Sequence, residues 1–360
     1  MKNDTRVTTQ MAETTIGLDV GDRLSHYCKL DVRGEVVERG EVKSEQGALT
    51  ELFKGMPRSR VVLEVGTHSP WISQLLQPWH EVVVANAHSA RALMKGRRKN
   101  DRTDAELLAR LGRADVELLR PVHHRGPQVQ QDRAVLELRN GLVGARTKLV
   151  NQLRGILKSQ GYRLSAKSYR TIDGSVAELP EGLQKLVQPT LAAIRALGES
   201  IGAADKEIER LSKERYPVTK CLRQVPGVGP IIALSFALVI EDPGRFKRSR
   251  EVGAYLGLAP KQRDSGDQHP QPRISKAGDR MLRWLLVQGA HHIVGRYGPD
   301  SDLKRWAEAR LTTGGANAKK RTIVAVARKL AVLLHHLWVT GEVYEPLYQA
   351  NRRAALPAAA

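Results

Sequence analysis

Cysteine is almost missing: Cys28 and Cys221 are the only two in 360 residues. Two thiols build neither a disulfide framework nor a cysteine-based zinc site, so both read as ordinary thiols. Aromatic residues make up 4% of the chain, which argues against a base-stacking sheet of the kind that reads RNA through Phe and Tyr. No run approaches the roughly 18–20 apolar residues of a membrane span. Residues 1–15 are polar and charged, without the apolar stretch of a secretory signal. Acidic residues are outnumbered, 38 against 58 Lys and Arg, which leaves a net charge of +20. The hydrophobic fraction of 41% is enough for real cores and excludes wholesale disorder. The length suggests two or three domains. The expectation is a soluble, cytoplasmic protein whose partner is a large polyanion.

The positive charge is uneven. Residues 1–90 carry −2, so the other 270 carry +22. The densest patch runs from Arg91 to Lys99 and includes Lys95, Arg97, Arg98 and Lys99. Further basic clusters lie at 146–170, 245–250 and 319–329. One such cluster is commonly just a solvated face, but four in a globular chain point to phosphate backbones. A membrane surface is the weaker partner, because no cluster sits beside a Trp- or Phe-rich apolar helix face.

Short apolar or alternating runs at 14–20, 26–32, 35–42, 60–65 and 81–85 read as five strands. Helical patterns fall at 45–54, 69–79 and 101–115. The order predicts a mixed α/β sheet with helices packed on it. From 128 to 215 the strand signal vanishes. Leucines and isoleucines recur at helical spacing there, which predicts two long helices joined by the polar stretch 161–182, as a hairpin or partner-pairing coiled coil. From 216 the reading is a mostly helical unit, with helices near 231–240, 249–258, 277–295, 301–311 and 319–340. The expected division is 1–120, 121–215 and 216–350, with a disordered tail at 351–360.

Four carboxylates stand out. Asp19 and Glu64 sit in predicted buried strands, where a carboxylate is costly unless it is paired or binds a cation. Asp101 and Asp104, at i and i+3, share a helix face. Together the four suit a pair of Mg²⁺ ions gripping a scissile phosphate. The structural alternative makes Asp101 an N-cap, Asp104 its acid three residues on, and Glu64 an ion-paired strand residue. The turn Pro226-Gly227-Val228-Gly229 before a helix exposes N–H groups suited to a phosphate, as in a helix-hairpin-helix element, or is simply a tight turn. No Gly-Lys-Ser/Thr follows, so nothing points to ATP. Ser265 lies in a basic-flanked loop between Arg263 and Arg273, where a nucleophile could meet DNA. Ser275 competes with it, or caps a helix beginning near Lys276. The His-His pairs at 123–124, 291–292 and 335–336 lack the spacing of a metal site.

Ile16-Gly-Leu-Asp-Val20, Leu63-Glu-Val-Gly66 and Lys99-Asn-Asp-Arg-Thr-Asp-Ala105 resemble the RuvC-like catalytic blocks of DEDD insertion-sequence transposases. So do Pro226–Pro230, Tyr255–Pro260, and Ser265-Gly266 followed by Ile274–Arg283. This order resembles the bridge-RNA-guided serine recombinases, a family that includes Piv-type DNA invertases, and spans roughly 14–347. The resemblance implies a RuvC/RNase H-like N-terminal domain, a helical middle and an α C-terminal transposase domain. It implies that Asp19, Glu64, Asp101 and Asp104 bind Mg²⁺ and that Ser265 is the catalytic serine. It further implies composite sites across subunits, a covalent serine–DNA intermediate, a structured guide RNA pairing with target and donor DNA, and dimers that assemble into tetramers. The Asp267–Arg273 stretch is richer in proline than that family's pattern, which bears on the loop's geometry. A hydrolytic, junction-resolving nuclease using the same carboxylates is the alternative, and a non-catalytic nucleic-acid binder a third.

Overall fold

The computed structural model describes residues 14–87, 101–165, 168–261, 273–312, 314–315 and 317–355, with the side chains of 101, 102 and 353–355 outside that set. The chain divides into two compact units, Met1–Pro127 and Gln128–Ala360.

The first unit is built on five strands: β1 Thr15–Asp19, β2 Leu24–Leu30, β3 Val36–Lys43, β4 Arg60–Glu64 and β5 Glu81–Ala85. The sheet order is β3-β2-β1-β4-β5. β1, β2 and β3 form an antiparallel meander, and β4 joins β1 in parallel, as β5 joins β4. β1, with Thr15 through Leu18 all buried, therefore lies at the centre, where both faces are covered.

Period-two alternation assigns the faces. Ile16, Leu18, Val61, Leu63 and Val84 pack on α1 (Gln46–Lys54) and α2 (Ser69–Leu76) through Leu49, Phe53, Ile72 and Leu76. Leu49 and Phe53 are wholly inaccessible, a burial that stabilises by about 1.5–3 kcal/mol for each side chain. The opposite face, through Cys28, Leu30, Val62 and Val83, meets α3 (Asp101–Ala114) at Ala105, Leu108 and Ala109. Gly17 permits this contact: a Cβ there would fall 1.9 Å from the Ala105 carbonyl oxygen and 2.5 Å from the Ala109 nitrogen.

The second unit is helical. α4 (Pro127–Ser159) and α6 (Glu181–Glu214) form the long pair the leucine spacing predicts, and the stretch between them is not only a linker. It contains α5 (Ile172–Ala177), whose Ile172 and Val176 pack with Val150, Leu153, Leu157, Leu191 and Ile194. At the other end Leu136, Ile208 and Leu211 pack against Leu234 and Leu238 of α8 (Pro230–Ile240). The middle and C-terminal segments thus share one unit. Asp132 locks the pairing, accepting hydrogen bonds from Arg215 at 2.5 Å and Tyr216 at 2.7 Å. Burial works to raise its carboxyl, but these donors and Gln128 hold it below the usual carboxylate range.

The remaining elements are α7 (Val218–Leu222), α9 (Glu251–Tyr255), α10 (Arg280–Val294), α11 (Asp302–Thr312), α12 (Ala318–Thr340) and α13 (Tyr348–Ala355). α12 is long and apolar enough by length and composition to cross a membrane, but half of that window is buried, and Ile323, Val326, Leu330 and Leu334 fill the unit's core. α13 corrects part of one sequence expectation, because a helix covers 351–355, the first half of the tail expected to be disordered. Asp302 caps it, accepting from the Gln349 N–H at 2.6 Å and the Ala350 N–H at 3.2 Å.

Candidate active site

Asp19 and Glu64 end adjacent parallel strands. The β1–β4 register pairs Leu18 with Leu63, so the next residues on each strand are the two acids. Asp19 shares alternation with Gly17, and Glu64 shares it with Val62, so both belong to the α3 face. Both are half-buried.

The direction of α3 brings in the second pair. Ala105 sits on Gly17, whereas Gly112 packs on Val62 and accepts a hydrogen bond from Arg60 at the start of β4. Arg110, further along the helix, donates to the Gly34 carbonyl beyond the far end of β2. α3 therefore runs opposite to β1 and β4. Its first turn, with Asp101 and Asp104, lies at the strand ends that carry Asp19 and Glu64. Asp104 is half-buried. The Asp101 side chain is outside the described residues, and among the described residues no three His, Cys, Asp or Glu side chains stand close enough to hold a metal ion. Carboxylate oxygens are nonetheless hard donors, and acids of this kind suit Mg²⁺ better than a soft metal.

Sequence reasoning missed the loops next to these acids. His68 Nε2 lies 3.4 Å from Asp22 Oδ1, and Trp71 Nε1–H donates to His68 Nδ1 at 3.1 Å. The contact ties the loop after β1 to the loop after β4. Beside it Ser69 Oγ donates to the Gly66 carbonyl and lies 2.8 Å from His124 Nε2. Burial, together with the Arg125 charge, holds the His124 imidazole below its ordinary pKa. The available signal was position alone: these residues follow directly on acid-bearing strands.

In the second unit Ser265 and Arg263 lie outside the described residues, as do Lys95, Arg97, Arg98 and Lys99 in the first. The feet of the Ser265 segment are described. Lys261 N–H donates to Arg273 O at 3.1 Å, Ser275 N–H to Ala259 O at 2.9 Å, and Lys276 N–H to Gly257 O at 3.1 Å. Arg283 donates to the carbonyls of Leu256 at 3.0 Å and Ala277 at 2.6 Å, fastening the returning chain to the α9 turn. Ser275 is not the helix cap. α10 begins at Arg280, and Asp279 accepts from Leu282 N–H at 2.7 Å. Gly278, at φ +67°, breaks the chain before the helix, and its backbone packs on the Tyr255 carbonyl.

Gly227 and Gly229 lie in the turn before α8. Gly227 has φ +87°, and a Cβ there would come within 2.9 Å of the Gly289 carbonyl oxygen, so packing on α10 already requires a glycine. Gly229 is extended and open, and its carbonyl accepts the Ala233 N–H. The histidine pairs diverge as expected of helical neighbours. His335 is buried between Ser249 and the Pro243 carbonyl, while His336 faces Glu342.

Comparison with known proteins gives this arrangement its class. A family model described as a transposase, of the DEDD IS110 type, matches residues 16–161 and so covers the acid-bearing sheet, α3 and α4. A second, described as the transposase IS116/IS110/IS902 family, matches residues 219–307. The chain is a transposase, and hence an enzyme that acts on DNA. Among its relatives are the transposase for insertion sequence element IS1111A of Coxiella burnetii, 27% identical over 91% of this chain and 90% of that protein, and a probable family 20 transposase of Pseudomonas aeruginosa, 28% identical over 92% and 98%. The transposase for insertion sequence element IS1328 of Yersinia enterocolitica is 29% identical over 92% of this chain and 98% of its own. With these two models matching separate stretches and relatives aligned along nearly its whole length, the chain is similar throughout to the IS110/IS116/IS902 transposases of insertion sequences.

Proposed function

We propose that this transposase cuts and rejoins DNA at a Mg²⁺-dependent centre made by Asp19, Glu64, Asp101 and Asp104, with Ser265 as the nucleophile. The observation that supports the reading is the in-register ending of β1 and β4 beside the first turn of α3, which puts the positions of Asp19, Glu64 and Asp104 at one end of one sheet face. Such a cluster is costly unless a cation neutralises it. Bound there, a divalent ion would offset charge on the scissile phosphate. The sheet register sets the spacing of Asp19 and Glu64, and the glycine-permitted approach of α3 supports Asp101 and Asp104 as the other two ligands.

Ser265 Oγ attacks phosphorus, a serine–phosphate ester forms, and one DNA oxygen leaves as a hydroxyl. The reverse reaction with another DNA hydroxyl restores the backbone, so bond energy is conserved and no nucleotide triphosphate is needed. A structured guide RNA supplies recognition by pairing with target and donor DNA. In support, the chain is basic and poor in aromatics, as suits holding a paired duplex by shape and backbone. Protomers assemble so that acids and serine from different copies meet. The protein works in the cytoplasm, where the DNA is.

The test is a denaturing gel of reactions on labelled DNA. Ser265→Ala is expected to lose the covalent protein–DNA adduct while keeping DNA and RNA binding. An adduct that survives Ser265→Ala but not Ser275→Ala would move the nucleophile to Ser275. Cleavage with no adduct in the wild type would replace the reading with a hydrolytic nuclease. RNA copurified from cells and sequenced should be one structured species, and an unspecific mixture would remove the guide.

A further inference from the structure

The C-terminal unit holds a cavity of about 2170 Å³ between α11, α12 and the segment that ends in α13. That is beyond the roughly 300–1,000 Å³ of a small-molecule site. Nine Lys and Arg side chains line it against three carboxylates, set among apolar side chains such as Leu303, Trp306 and Val324, and this excess of positive charge suits a polyanion. Two of those carboxylates have partners inside the unit: Asp302 accepts the α13 N–H groups, and Glu342 faces His336.

The cations are placed by helical geometry. Lys320, Arg321, Arg328 and Lys329 are exposed along α12. The first three have no ion-pair partner among the described residues. Lys329 Nζ stands 4.6 Å from the centre of the Trp306 ring on α11, a contact that holds the ammonium in place without neutralising it. These exposed cations are open to a counter-charge from outside the chain.

The far wall says which polyanion. Lys261, Arg273 and Lys276, the feet of the Ser265 segment, line the same cavity. Lys276 has φ +59°, a conformation that favours glycine and carries a strain of about 1 kcal/mol or more in other residues. A lysine kept there fits a need for its charge.

We propose that this groove is the track along which DNA runs from the Ser265 segment across α12, with Lys320, Arg321, Arg328 and Lys329 contacting its phosphates. This rests on the reading of Ser265 as the group that attacks DNA. A strand being cut at that segment must leave along an adjoining surface, and this basic groove is lined by Lys261, Arg273 and Lys276, which flank the segment. Guide RNA has no corresponding need to reach the serine.

The test uses the full-length protein and fluorescence anisotropy on labelled duplex DNA across a salt series. Lys320→Gln with Arg321→Gln, and Arg328→Gln with Lys329→Gln, should each weaken binding by about 10-fold or more near physiological salt. Each pair should also reduce the slope of log K against log salt by about 2, since each lost phosphate contact removes about 0.9. Unchanged affinity and slope in both pairs would overturn the track, as would a loss seen with RNA of matched length and not with DNA. Ser265→Ala should bind DNA with wild-type affinity and slope. Because the track is read by binding and the serine by covalent adduct, failure of one is visible separately from failure of the other.

Discussion

The N-terminal unit, residues 1–127, carries a net charge of +3, and the C-terminal unit, residues 128–360, carries +17. The first concentrates carboxylates at the ends of a sheet, where strand register sets their spacing. The second spreads cations over exposed helix faces, where the only periodicity is that of the helix. Work on a phosphate needs both, and they call for opposite scaffolds. Acids brought together need a rigid frame, because mutual repulsion would otherwise part them. Cations that track a flexible polymer gain more from extent than from fixed geometry.

That contrast makes predictions, strongest first. Asp19→Ala or Glu64→Ala should abolish strand cleavage, a loss of at least about 10²-fold of the kind seen when a group stabilising transition-state charge is removed, while anisotropy shows DNA affinity within about twofold of wild type. Undiminished recombination in either variant would remove the acids from the reaction. Asp132→Ala leaves Tyr216 and the part-exposed Arg215 without their shared acceptor, and should cost about 1–3 kcal/mol in denaturant melts. The loss should appear in the C-terminal unit, with cleavage chemistry spared under folding conditions. Gly17→Ala puts a methyl group into the α3 backbone and should cost about 1–3 kcal/mol, with cleavage falling further than stability because α3 carries Asp101 and Asp104. Equal loss in Gly17→Ala and Gly47→Ala, whose Cβ would meet nothing within 4 Å, would break the claim that α3 is seated by Gly17.

The smallest effect is acid sensitivity. Burial lowers the pKa of His80, whose Nδ1 accepts from Ser59 N–H while Nε2 faces the Phe53 carbonyl, and of His124. A histidine with a depressed folded pKa binds its proton more readily in the unfolded chain, so stability rises with pH across that window. The N-terminal unit should therefore lose stability as pH falls below about 6.5, the ordinary histidine value. His80→Gln should flatten that part of the profile, and an unchanged profile would show that His80 is not its source.

Much of the first unit was legible because its strands are short, apolar and separated by turn residues. β1 through β5 fall within a few residues of the runs that announce them. The facing of Asp19 and Glu64 follows from counting by twos. What the sequence hid was the direction of α3, which depends on Gly17 and Gly112 meeting partners distant in the chain. In the second unit the long helices were plain from leucine spacing, but α5 and α7 are too short to show a period. The start of α10 was misplaced because Ser275 and Asp279 are both good caps. Gly278 decides between them through a packing contact with Tyr255 that no local pattern carries. Its basic-flanked loop made Ser265 a candidate beside Ser275, and only the resemblance chose between them, since the loop has no periodicity to read.

The hold of Asp302 on the last helix bears on how the protein is handled. Its carboxylate takes two N–H groups of the chain more than forty residues later, and its own N–H donates to the Pro346 carbonyl at 2.7 Å. An affinity tag or fluorescent fusion joined directly after Leu347 would delete the partners of that carboxylate and bare one wall of the basic groove. The same fusion joined beyond Ala355 through a flexible spacer leaves the clasp intact, and is the better end at which to attach a label or a surface.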